Sequence, residues 1–497
     1  MVTALLGIDI GTSSTKAVLA TVRGKVLATV TRPHKTAMPR PGWAEHDADA
    51  VWWADVRDAA RALLARAGAG TRLGGVCVSG IGPCLLVADA DGTPLRPAIL
   101  YGIDTRASAE IDELTARLGA DAILSLGGSP LTSQAVGPKL LWLSRHEPAT
   151  WAASRRMFMA SSYAVWRLTG EYVLDHHCAS QCDPMYALAS GEWAKGWAAE
   201  LAGPIELPPL RWPGQVAGHV TPRAAAETGI PAGTPVAVGT IDAWSEAVSA
   251  GVRDPGEYLV MFGTTMFFIA VNERPLADRR LWSTAGAFPA TWTLAGGMAT
   301  SGALVSWASE LTQVGYRRLM AEAAAVPPGA DGLLILPYFA GERTPLFDAA
   351  ARGTIFGLTV RHERAHLFRA FLEATAFGAR HNLDAMADAG ARLERGVAVG
   401  GGVTSRVWPQ VVADVTGREL VLPAVTVGAA YGDAFLAGVA AGLTGPDARW
   451  ARATTVITPD PAAADRYERL YALYRRGYRD TATISHSLAA MQEQASA

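Results

Sequence analysis

The sequence has little cysteine and no surplus of charge. Its 497 residues include four cysteines, too few for a disulfide framework in a chain of this length. Lysine and arginine together number 44 against 46 acidic residues, and the resulting net charge of −2 excludes nucleic-acid binding through bulk positive charge. Because 50% of the residues are hydrophobic, the chain can bury a large core and is not a disordered protein. Length alone favours about three domains of about 150 residues each.

Long apolar runs are also missing. No stretch of about 18 apolar residues occurs, and the best candidate, residues 259–271, is interrupted by Gly263, Thr264 and Thr265. The N-terminus lacks the basic segment of a signal peptide, and Asp9 ends its apolar stretch. We therefore expect a soluble, cytoplasmic protein whose partners are neither membranes nor nucleic acids.

One short segment gathers side chains that often bind metals, namely His176, His177, Cys178 and Cys182. The spacing of its two cysteines matches no common zinc-binding pattern. Unpaired cysteines behave as small hydrophobic residues and are among the most often buried. Burial is therefore favoured over a metal site.

Strand-like and helix-like segments alternate along the chain, as expected for a layered α/β fold. In the first half, strands are predicted at residues 5–10, 16–22, 25–31, 75–79 and 234–239, and helices at 48–69 and 243–252. In the second half, strands begin at residue 258, and helices at 301–311 and 364–386 alternate with strands at 332–336 and 396–399. A proline-rich loop at residues 204–213 precedes the last strand of the first half. A boundary near residue 250 predicts an N-terminal domain of residues 1–248 and a C-terminal domain of residues 249–490.

Each half opens with the same short pattern. Residues 9–13 (Asp-Ile-Gly-Thr-Ser) lie between two predicted strands, and so do residues 261–265 (Met-Phe-Gly-Thr-Thr), 252 positions later. Both halves therefore begin with a strand, a Gly-Thr pair, a hydroxyl residue and another strand. This repeat suggests two related domains that face each other.

Turns rich in glycine, serine and threonine suit phosphate groups. Glycine lets the backbone approach closely, consecutive N–H groups form a nest for an anion, and hydroxyls add further donors. Asp9, at the end of its strand, could hold Mg²⁺ through water, because Mg²⁺ gives up its water reluctantly. Two ordinary hairpin turns would look the same, and no P-loop pattern Gly-x-x-x-x-Gly-Lys-Ser/Thr occurs.

Two further strand ends carry candidate residues. Gly400, Gly401 and Gly402 follow the strand at 396–399 and precede a predicted helix, an arrangement that can receive a nucleotide but is not a Gly-x-Gly-x-x-Gly motif. Asp242 follows the strand that ends at Gly239 and precedes a helix. Such an aspartate is commonly a helix N-cap. At the carboxyl edge of an α/β sheet it could also accept a proton from a substrate hydroxyl.

In this order, the motifs resemble the FGGY family of carbohydrate kinases, which are actin-like, ribonuclease-H-like ATPases. The resemblance runs over nearly the whole chain. Its matching segments are residues 7–16, 41–45, 139–143, 167–171, 239–242, 261–265, 341–345, 352–358, 400–402 with Ser405, Gln410 and Asp414, and 428–436. The resemblance implies an α/β fold of two ribonuclease-H-like domains with a cleft between them, and the activity of a carbohydrate kinase.

The resemblance also implies roles for individual residues. Asp242 would be the catalytic base, and Asp9 would act on Mg²⁺. ATP would be bound by Thr12, Ser13, Ser14, Lys16, Gly263, Thr264, Thr265, Gly400, Gly401, Gly402 and Ser405. The sugar would lie in the cleft, mainly against the first domain, at Gly80, Ile81, Gly82, Pro83, Asp104 and Asp242. ATP and Mg²⁺ are thus the expected cofactors and a small sugar the expected partner, while self-association as a homodimer stays open.

Among sugars, the resemblance favours a ketopentose such as xylulose. Xylulose kinases typically carry Ser-Gly-Gln-Met-His-Gly at the sugar site, whereas residues 79–84 of this chain read Ser-Gly-Ile-Gly-Pro-Cys. Losing the Gln and His side chains should change which hydroxyls are recognised. Another ketose or polyol, such as ribulose, erythritol or a glycerol-like substrate, is therefore an alternative, although the Arg-Glu pair of a glycerol site is absent after Ser79.

Two alternatives belong to other functional classes. One is a non-catalytic actin-like ATPase that shares the nucleotide clamp, and the other is a sugar-binding relative that has lost turnover. Asp242 and the Gly-Glu-Arg-Thr-Pro segment at residues 341–345 favour the kinase.

Overall fold

A computed structural model describes residues 2–68, 70–424 and 427–496. The strands are β1 (Val2–Ile10), β2 (Ser14–Thr21), β3 (Val26–Pro33), β4 (Glu45–His46), β5 (Thr71–Gly80), β6 (Leu86–Ala88), β7 (Ala98–Ile99), β8 (Arg156–Phe158), β9 (Leu174–Asp175), β10 (Tyr186–Ala187), β11 (Glu192–Trp193), β12 (Leu210–Arg211), β13 (Val216–His219), β14 (Pro235–Ala237), β15 (Glu257–Phe262), β16 (Met266–Asn272), β17 (Trp282–Ala285), β18 (Trp292–Met298), β19 (Leu334–Leu336), β20 (Thr354–Phe356), β21 (Arg395–Gly400), β22 (Leu420–Pro423) and β23 (Ala453–Ile457).

The helices are α1 (Ala54–Arg66), α2 (Ser108–Leu118), α3 (Ala120–Gly127), α4 (Val136–His146), α5 (Pro148–Ala153), α6 (Ala160–Thr169), α7 (His176–Ala179), α8 (Lys195–Ala202), α9 (Pro222–Thr228), α10 (Asp242–Ser249), α11 (Gly302–Thr312), α12 (Tyr316–Ala324), α13 (Arg364–Asp388), α14 (Val407–Thr416), α15 (Ala429–Ala440) and α16 (Ala464–Ser496). A π-helical turn (Ala48–Trp53) precedes α1, and 3-10 turns lie at Ala330–Gly332, Gly401–Thr404 and Pro461–Ala463.

The first large sheet is built around β1. Its strand order is β13-β14-β5-β1-β2-β3, with β1 antiparallel to β2 and parallel to β5. Residues 4–8 of β1 are all buried, whichever face of the sheet their side chains point to. A strand that is apolar on both faces belongs in the middle of a sheet that is covered on both sides.

The second large sheet repeats this arrangement around β15. Its strand order is β17-β18-β16-β15-β21-β22-β23, with β15 antiparallel to β16 and parallel to β21. The series β3-β2-β1-β5-β14 of the first sheet thus corresponds to β18-β16-β15-β21-β22 of the second. The repeat that the two Gly-Thr hairpins predicted is confirmed at the level of topology.

Two helices pack between the sheets. Helix α15 lies against β1 and β5 and also against α10, although α15 comes from the second half of the chain. The approach is close enough to require glycine, since a Cβ on Gly7 would lie 1.9 Å from the Ala430 carbonyl oxygen and a Cβ on Gly432 would lie 2.0 Å from that of Ser245. One hydrophobic cluster joins Leu5 of the first sheet to Leu259 of the second through these helices. The N-terminus of α10, where Asp242 lies, is therefore fixed between the two halves.

Most predicted strands and helices are confirmed to within a few residues, but three regions differ. The helix predicted at 48–69 is a π-helical turn followed by α1, which ends at Arg66, and residue 69 lies outside the described residues. The strand predicted from residue 332 begins at Leu334, because residues 330–332 form a 3-10 turn. Helices α2 to α8 were not predicted; α2, α3, α4, α7 and α8 share a separate hydrophobic core with the short strands around them, whereas α6 packs into the core of the first sheet.

Across the part of the chain that the structure describes, none of the helices combines the length and the apolar character needed to span a bilayer. The longest, α16, carries eight charged residues from Asp465 to Asp480.

Candidate active site

The first hairpin turn, residues 11–14, joins β1 to β2 and sets Asp9 opposite Lys16. The carbonyl oxygens of Gly11, Thr12 and Ser13 all accept hydrogen bonds from residues 34–36, at 2.9 to 3.0 Å. The backbone N–H groups of Thr12 and Ser13 donate to no acceptor among the described residues. A turn with occupied carbonyls and free N–H groups presents a positive edge, which suits a phosphate group.

The second hairpin turn, residues 263–265, is built on the same principle. The carbonyl oxygens of Gly263 and Thr264 accept hydrogen bonds from the N–H groups of residues 301–303, where α11 begins. Within the described part of the chain, the N–H groups of Thr264 and Thr265 find no acceptor. Three residues separate the paired residues Phe262 and Met266, against four between Ile10 and Thr15 in the first hairpin. The second turn also leaves N–H groups and hydroxyls for a ligand.

The glycine turn at residues 400–402 lies beside the second hairpin. Phe262 and Gly400 are partners in the parallel pairing of β15 with β21. Gly400 has a φ of 95°, and a Cβ there would lie 2.5 Å from the Phe262 carbonyl oxygen. The backbone at Gly401 is open, with no heavy atom within 4 Å of a Cβ placed there, while Ser405 accepts a hydrogen bond from Val407 N at 3.3 Å where α14 begins. The structure thus brings the predicted nucleotide-binding segments of the second half to one sheet edge.

Asp242 is the first residue of α10, and Ile241 occupies the N-cap position. The expectation of a simple N-cap at Asp242 is therefore wrong. Its carboxylate accepts a hydrogen bond from Ala243 N at 2.7 Å. A backbone bridge joins Ile241 to Gly80 at the end of β5, and the neighbouring residue Ser79 is the register partner of Asp9. Asp242 and Asp9 thus project from adjacent positions at the carboxyl edge of the first sheet.

Three carboxyl groups at this edge lie within electrostatic range of one another. Burial, reinforced by the charges of Asp9 and Glu246, raises the pKa of Asp242 to about 8. Burial also raises the pKa of Glu246, one turn further along α10, to about 7. The pKa of Asp9 rises to about 6 through burial, against the opposing effects of Lys16 and of a hydrogen bond from Ser79. Such a cluster stores unfavourable electrostatic energy that a cation would relieve.

A cavity of about 270 Å³ opens beside Asp242, with walls from both halves of the chain. Asp242, Ile81 and Gly82 come from the first half, whereas Thr265 and Arg343 come from the second. Of the predicted sugar-binding residues, Gly80, Pro83 and Asp104 are not in its lining. Tyr101, which does line it, shares a hydrogen bond of 3.0 Å with the Thr12 hydroxyl and so links the cavity to the first hairpin.

Asp104 has a different place from the one predicted. Its carboxylate pairs with Arg106 at 2.7 Å, with both side chains fully buried, and also accepts a hydrogen bond from Ala44 N. Arg106 in turn lies over the ring of Trp43 at 3.9 Å. Because Arg106 and the Ala44 N–H already bond to its carboxylate, Asp104 supports the cavity wall.

Several residues of the site were missed by the sequence analysis. The guanidinium of Arg343 faces the cavity over the Trp282 ring at 4.9 Å and makes no hydrogen bond or ion pair with any described residue. Its motif at residues 341–345 had been noted, but without a role for the side chain. Glu246 was detectable as the residue four positions after Asp242, on the same face of α10. Gln181 and Asp183 also line the cavity, and no local signal pointed to them.

The segment with two histidines and two cysteines has partners within the protein. His177 donates from Nδ1 to the Ala285 carbonyl oxygen at 2.7 Å, and His176 contacts the Tyr186 hydroxyl. Cys178 and Cys182 are buried and unpaired, as predicted. Burial raises the pKa of both thiols.

The carboxyl groups at the sheet edge fit a magnesium ion that keeps part of its water. Mg²⁺ prefers carboxylate oxygens and is usually held by one or two of them together with substrate phosphates. Within the described residues, no three histidine, cysteine, aspartate or glutamate side chains converge closely enough to hold an ion alone. Asp9, beside a phosphate-binding turn, is the residue best placed for this role, which stays a prediction.

Comparison with known proteins identifies the family. Residues 4–249 match the N-terminal domain of the FGGY family of carbohydrate kinases, and residues 258–441 match its C-terminal domain. The chain is 32% identical over 448 residues to the xylulose kinase of Escherichia coli (strain K12), covering 88% of this chain and 90% of that protein. It is 30% identical over 507 residues to a glycerol kinase of Beutenbergia cavernae, covering 96% and 97% of the two chains.

A crystal structure of xylulose kinase from Rhodospirillum rubrum superimposes with a TM-score of 0.90 at 36% identity, covering 97% of this chain and all of that one. The predicted fold of two ribonuclease-H-like α/β domains is confirmed. With its two matched domains, this chain belongs to the FGGY family of carbohydrate kinases.

Proposed function

We propose that the protein transfers the γ-phosphoryl group of ATP to a hydroxyl group of a ketopentose such as xylulose, with Asp242 as the general base. One observation carries the proposal: Asp242 lines a cavity that Thr265 of the second hairpin also lines and that Tyr101 links to Thr12 of the first. The similarity to xylulose kinases from two organisms supports the choice of sugar.

The proposed reaction begins with the sugar hydroxyl next to the Asp242 carboxylate. As the hydroxyl oxygen bonds to the γ-phosphorus, its proton passes to Asp242 and the bond to the β-phosphate oxygen breaks, which releases ADP. The transition state of phosphoryl transfer is loose, so a modest base is sufficient and positioning carries most of the catalysis. The raised pKa of Asp242 suits this role, because a carboxylate with a higher proton affinity accepts the hydroxyl proton more readily.

The hairpins would hold the nucleotide from both sides. The free N–H groups of Thr12 and Ser13 would face the transferring phosphate, together with the hydroxyls of Ser13 and Ser14 and with Lys16, and residues 263–265 would face it from the other half. The turn at residues 400–402, with Ser405, would lie against the adenosine. Mg²⁺ bound with the nucleotide would supply positive charge to the phosphate oxygens, and Asp9 would help to hold it.

A second candidate substrate class is another ketose or a polyol. The observation in its favour is the apolar character of the segment at residues 79–84, where Ile81 and Gly82 meet the cavity without a side-chain hydrogen-bond donor. ADP release coupled to a panel of pentuloses, hexuloses, polyols and glycerol would test both classes. A ketopentose with the highest kcat/KM supports the proposal, and a panel in which no compound raises ADP release above the rate in its absence overturns it.

We also propose that the protein acts in the cytoplasm, and self-association as a homodimer stays a prediction. Light scattering coupled to gel filtration would give the molar mass in solution and decide the second point.

A further inference from the structure

The end of the cavity formed by α7 and the residues that follow it contains an aspartate without a partner. The Oδ1 atom of Asp183 is enclosed by protein beside Gly127, which leaves Oδ2 as the carboxyl oxygen that can face a ligand. Asp183 is only 5% exposed, and among the described residues its side chain forms no hydrogen bond or ion pair. It nevertheless lines the cavity that contains Asp242. A buried carboxyl group without a hydrogen-bond partner destabilises the folded protein. Buried polar groups of this kind therefore need an explanation in terms of a ligand or a function.

The surrounding backbone is arranged to house this carboxyl group. A Cβ at Gly127 would lie 2.0 Å from Asp183 Oδ1, so any larger residue there would displace the side chain. The carbonyl oxygen of Asp183 accepts a hydrogen bond from Gly137 N at 3.0 Å, and that of Gln181 accepts one from Val136 N at 3.3 Å. Both bonds fix the segment against the start of α4, which leaves the Asp183 side chain little freedom to turn away.

Gln181 is oriented by a short chain of hydrogen bonds. His177 donates from Nδ1 to the Ala285 carbonyl oxygen, so its other ring nitrogen is free to accept a hydrogen bond from the Gln181 amide at 3.0 Å. Burial lowers the pKa of His177 to about 4, which keeps the ring neutral and this arrangement intact at neutral pH. The side-chain oxygen of Gln181, Oε1, then stays available as an acceptor, and Gln181 also lines the cavity.

This end of the cavity is electrostatically separate from the carboxyl cluster at the sheet edge. Burial alone raises the pKa of Asp183 well above its ordinary range, with no contribution from another charged group. The pKa of Asp242, by contrast, responds to Asp9 and Glu246. Asp183 therefore does not belong to the carboxyl cluster around Asp242, although it lines the same cavity.

We propose that Asp183 and Gln181 form a specificity site for sugar hydroxyls at the chain end opposite the phosphorylated hydroxyl, a role that rests on the proposed ketose kinase activity. Ile81 and Gly82, the cavity-lining residues of segment 79–84, offer no side-chain donor, so other lining residues must recognise those hydroxyls. A neutral carboxyl group can both donate to and accept from a hydroxyl, and Gln181 adds an acceptor. The ligand class is a polyhydroxylated chain, and the discrimination is against analogues that lack the recognised hydroxyl.

The test compares a ketose substrate with its analogue that lacks the hydroxyl at the end opposite the phosphorylated one. Asp183→Ala should lower kcat/KM for the ketose by about 10- to 100-fold and leave kcat/KM for the deoxy analogue nearly unchanged, because the lost bond exists only with the former. Asp183→Asn, which keeps the size and hydrogen-bonding capacity, should recover most of the loss. Gly127→Ala should behave like Asp183→Ala, whereas Gly196→Ala, at an open helix position, serves as the control.

Thermal unfolding separates this role from a structural one. Because Asp183 has no partner in the protein, Asp183→Ala should leave the melting temperature unchanged or raise it. Equal losses of kcat/KM for the ketose and its deoxy analogue, or a lowered melting temperature with no effect on selectivity, would overturn the proposal.

Ketose binding measured by calorimetry without ATP gives the same comparison independently of turnover. If the wild-type protein binds the ketose and Asp183→Ala binds it just as tightly, the specificity site is refuted even where the kinase activity stands. If no ketose supports ADP release, the proposed function fails instead, and binding of the ketose still decides the role of Asp183.

Discussion

Replacing Asp242 by asparagine should remove catalysis while making the ligand-free protein more stable. Asparagine has almost the same shape, and its side-chain oxygen can still accept the hydrogen bond from Ala243 N. The substitution therefore leaves the start of α10 intact and removes only two properties. These are the ability to accept a proton and the destabilisation of the folded protein by a buried charge. Each property has its own measurable consequence.

The rate effect follows from the loss of the general base. General base catalysis typically contributes about 100- to 10,000-fold. Because phosphoryl transfer needs only a modest base, we expect kcat of Asp242→Asn to fall by about 100- to 1,000-fold, with a smaller change in KM. ADP release measured with the best sugar of the substrate panel would give both constants.

The stability effect has a definite sign. The pKa of Asp242 is raised from its ordinary value of 3.8 to about 8 in the folded protein. Between these two values the carboxyl group is ionised in the unfolded chain but must take up a proton on folding, so its contribution to stability falls as pH rises. The cost is about 1.4 kcal/mol per pH unit, which amounts to roughly 4 kcal/mol at pH 7 as an upper limit, because the cavity admits water next to the group.

Denaturant unfolding without nucleotide and Mg²⁺ should therefore show Asp242→Asn to be more stable than the wild type at pH 7, with a smaller difference at pH 5. The exposed carboxylate of Asp91 offers a matched control, because Asp91→Asn should change neither rate nor stability. If Asp242→Asn keeps most of the sugar-dependent rate, the assignment of the base is wrong. If its stability advantage does not grow between pH 5 and pH 7, the electrostatic account of the cluster is wrong.

Three further predictions concern other parts of the molecule. Arg343→Ala should lower kcat/KM by about 10- to 100-fold with little change in melting temperature, since the guanidinium faces the cavity over the Trp282 ring and forms no hydrogen bond or ion pair with a described residue. Arg343→Lys should recover part of the rate, and a large loss of stability would contradict this interpretation. Gly432→Ala should destabilise the protein by about 2–4 kcal/mol in denaturant unfolding, because a Cβ there would lie 2.0 Å from the Ser245 carbonyl oxygen, whereas Gly445→Ala, in open space, should be neutral. The four cysteines are buried and unpaired, so a thiol reagent should modify the native protein only at the rate of unfolding and should modify four groups in denaturant; rapid labelling of the native protein would contradict their burial.

The hairpins and Asp242 could be predicted from the sequence because their signals are local. A Gly-Thr turn between two apolar strands specifies a hairpin, and strand pairing then fixes Asp9 opposite Lys16. An aspartate between a buried strand and a helix similarly lies at the carboxyl edge of a sheet, whatever the remaining chain does. The repeat of this pattern in both halves was enough to predict two related domains.

The distal wall of the cavity could not be predicted, because nothing local marks it. Asp183 reaches the cavity through its contacts with Gly127 and the start of α4, which lie about 50 residues earlier in the chain. Arg343 lies across the cleft from the first half, and whether its side chain is paired depends on packing around Trp282. Such placements are decided by tertiary contacts, which residue spacing alone does not encode.

The motifs that carried the family resemblance divide into two physical kinds. The segments at 9–16, 239–242 and 261–265 bring side chains or free N–H groups to the cleft. By contrast, the segments at 41–45 and 139–143 converge on one buried cluster with Asp104 and Arg106, in which Arg106 pairs with Glu45 and Asp104 and lies over the rings of Trp43 and Trp142. That cluster supports the chain just after Tyr101, whose hydroxyl bonds to Thr12 and whose ring faces the sugar cavity. The motifs therefore specify phosphoryl transfer and the frame around it, whereas the side chains at the far end of the cavity, Gln181 and Asp183, lie outside every one of them. Substrate choice can thus change within this fold without altering the residues that define the family.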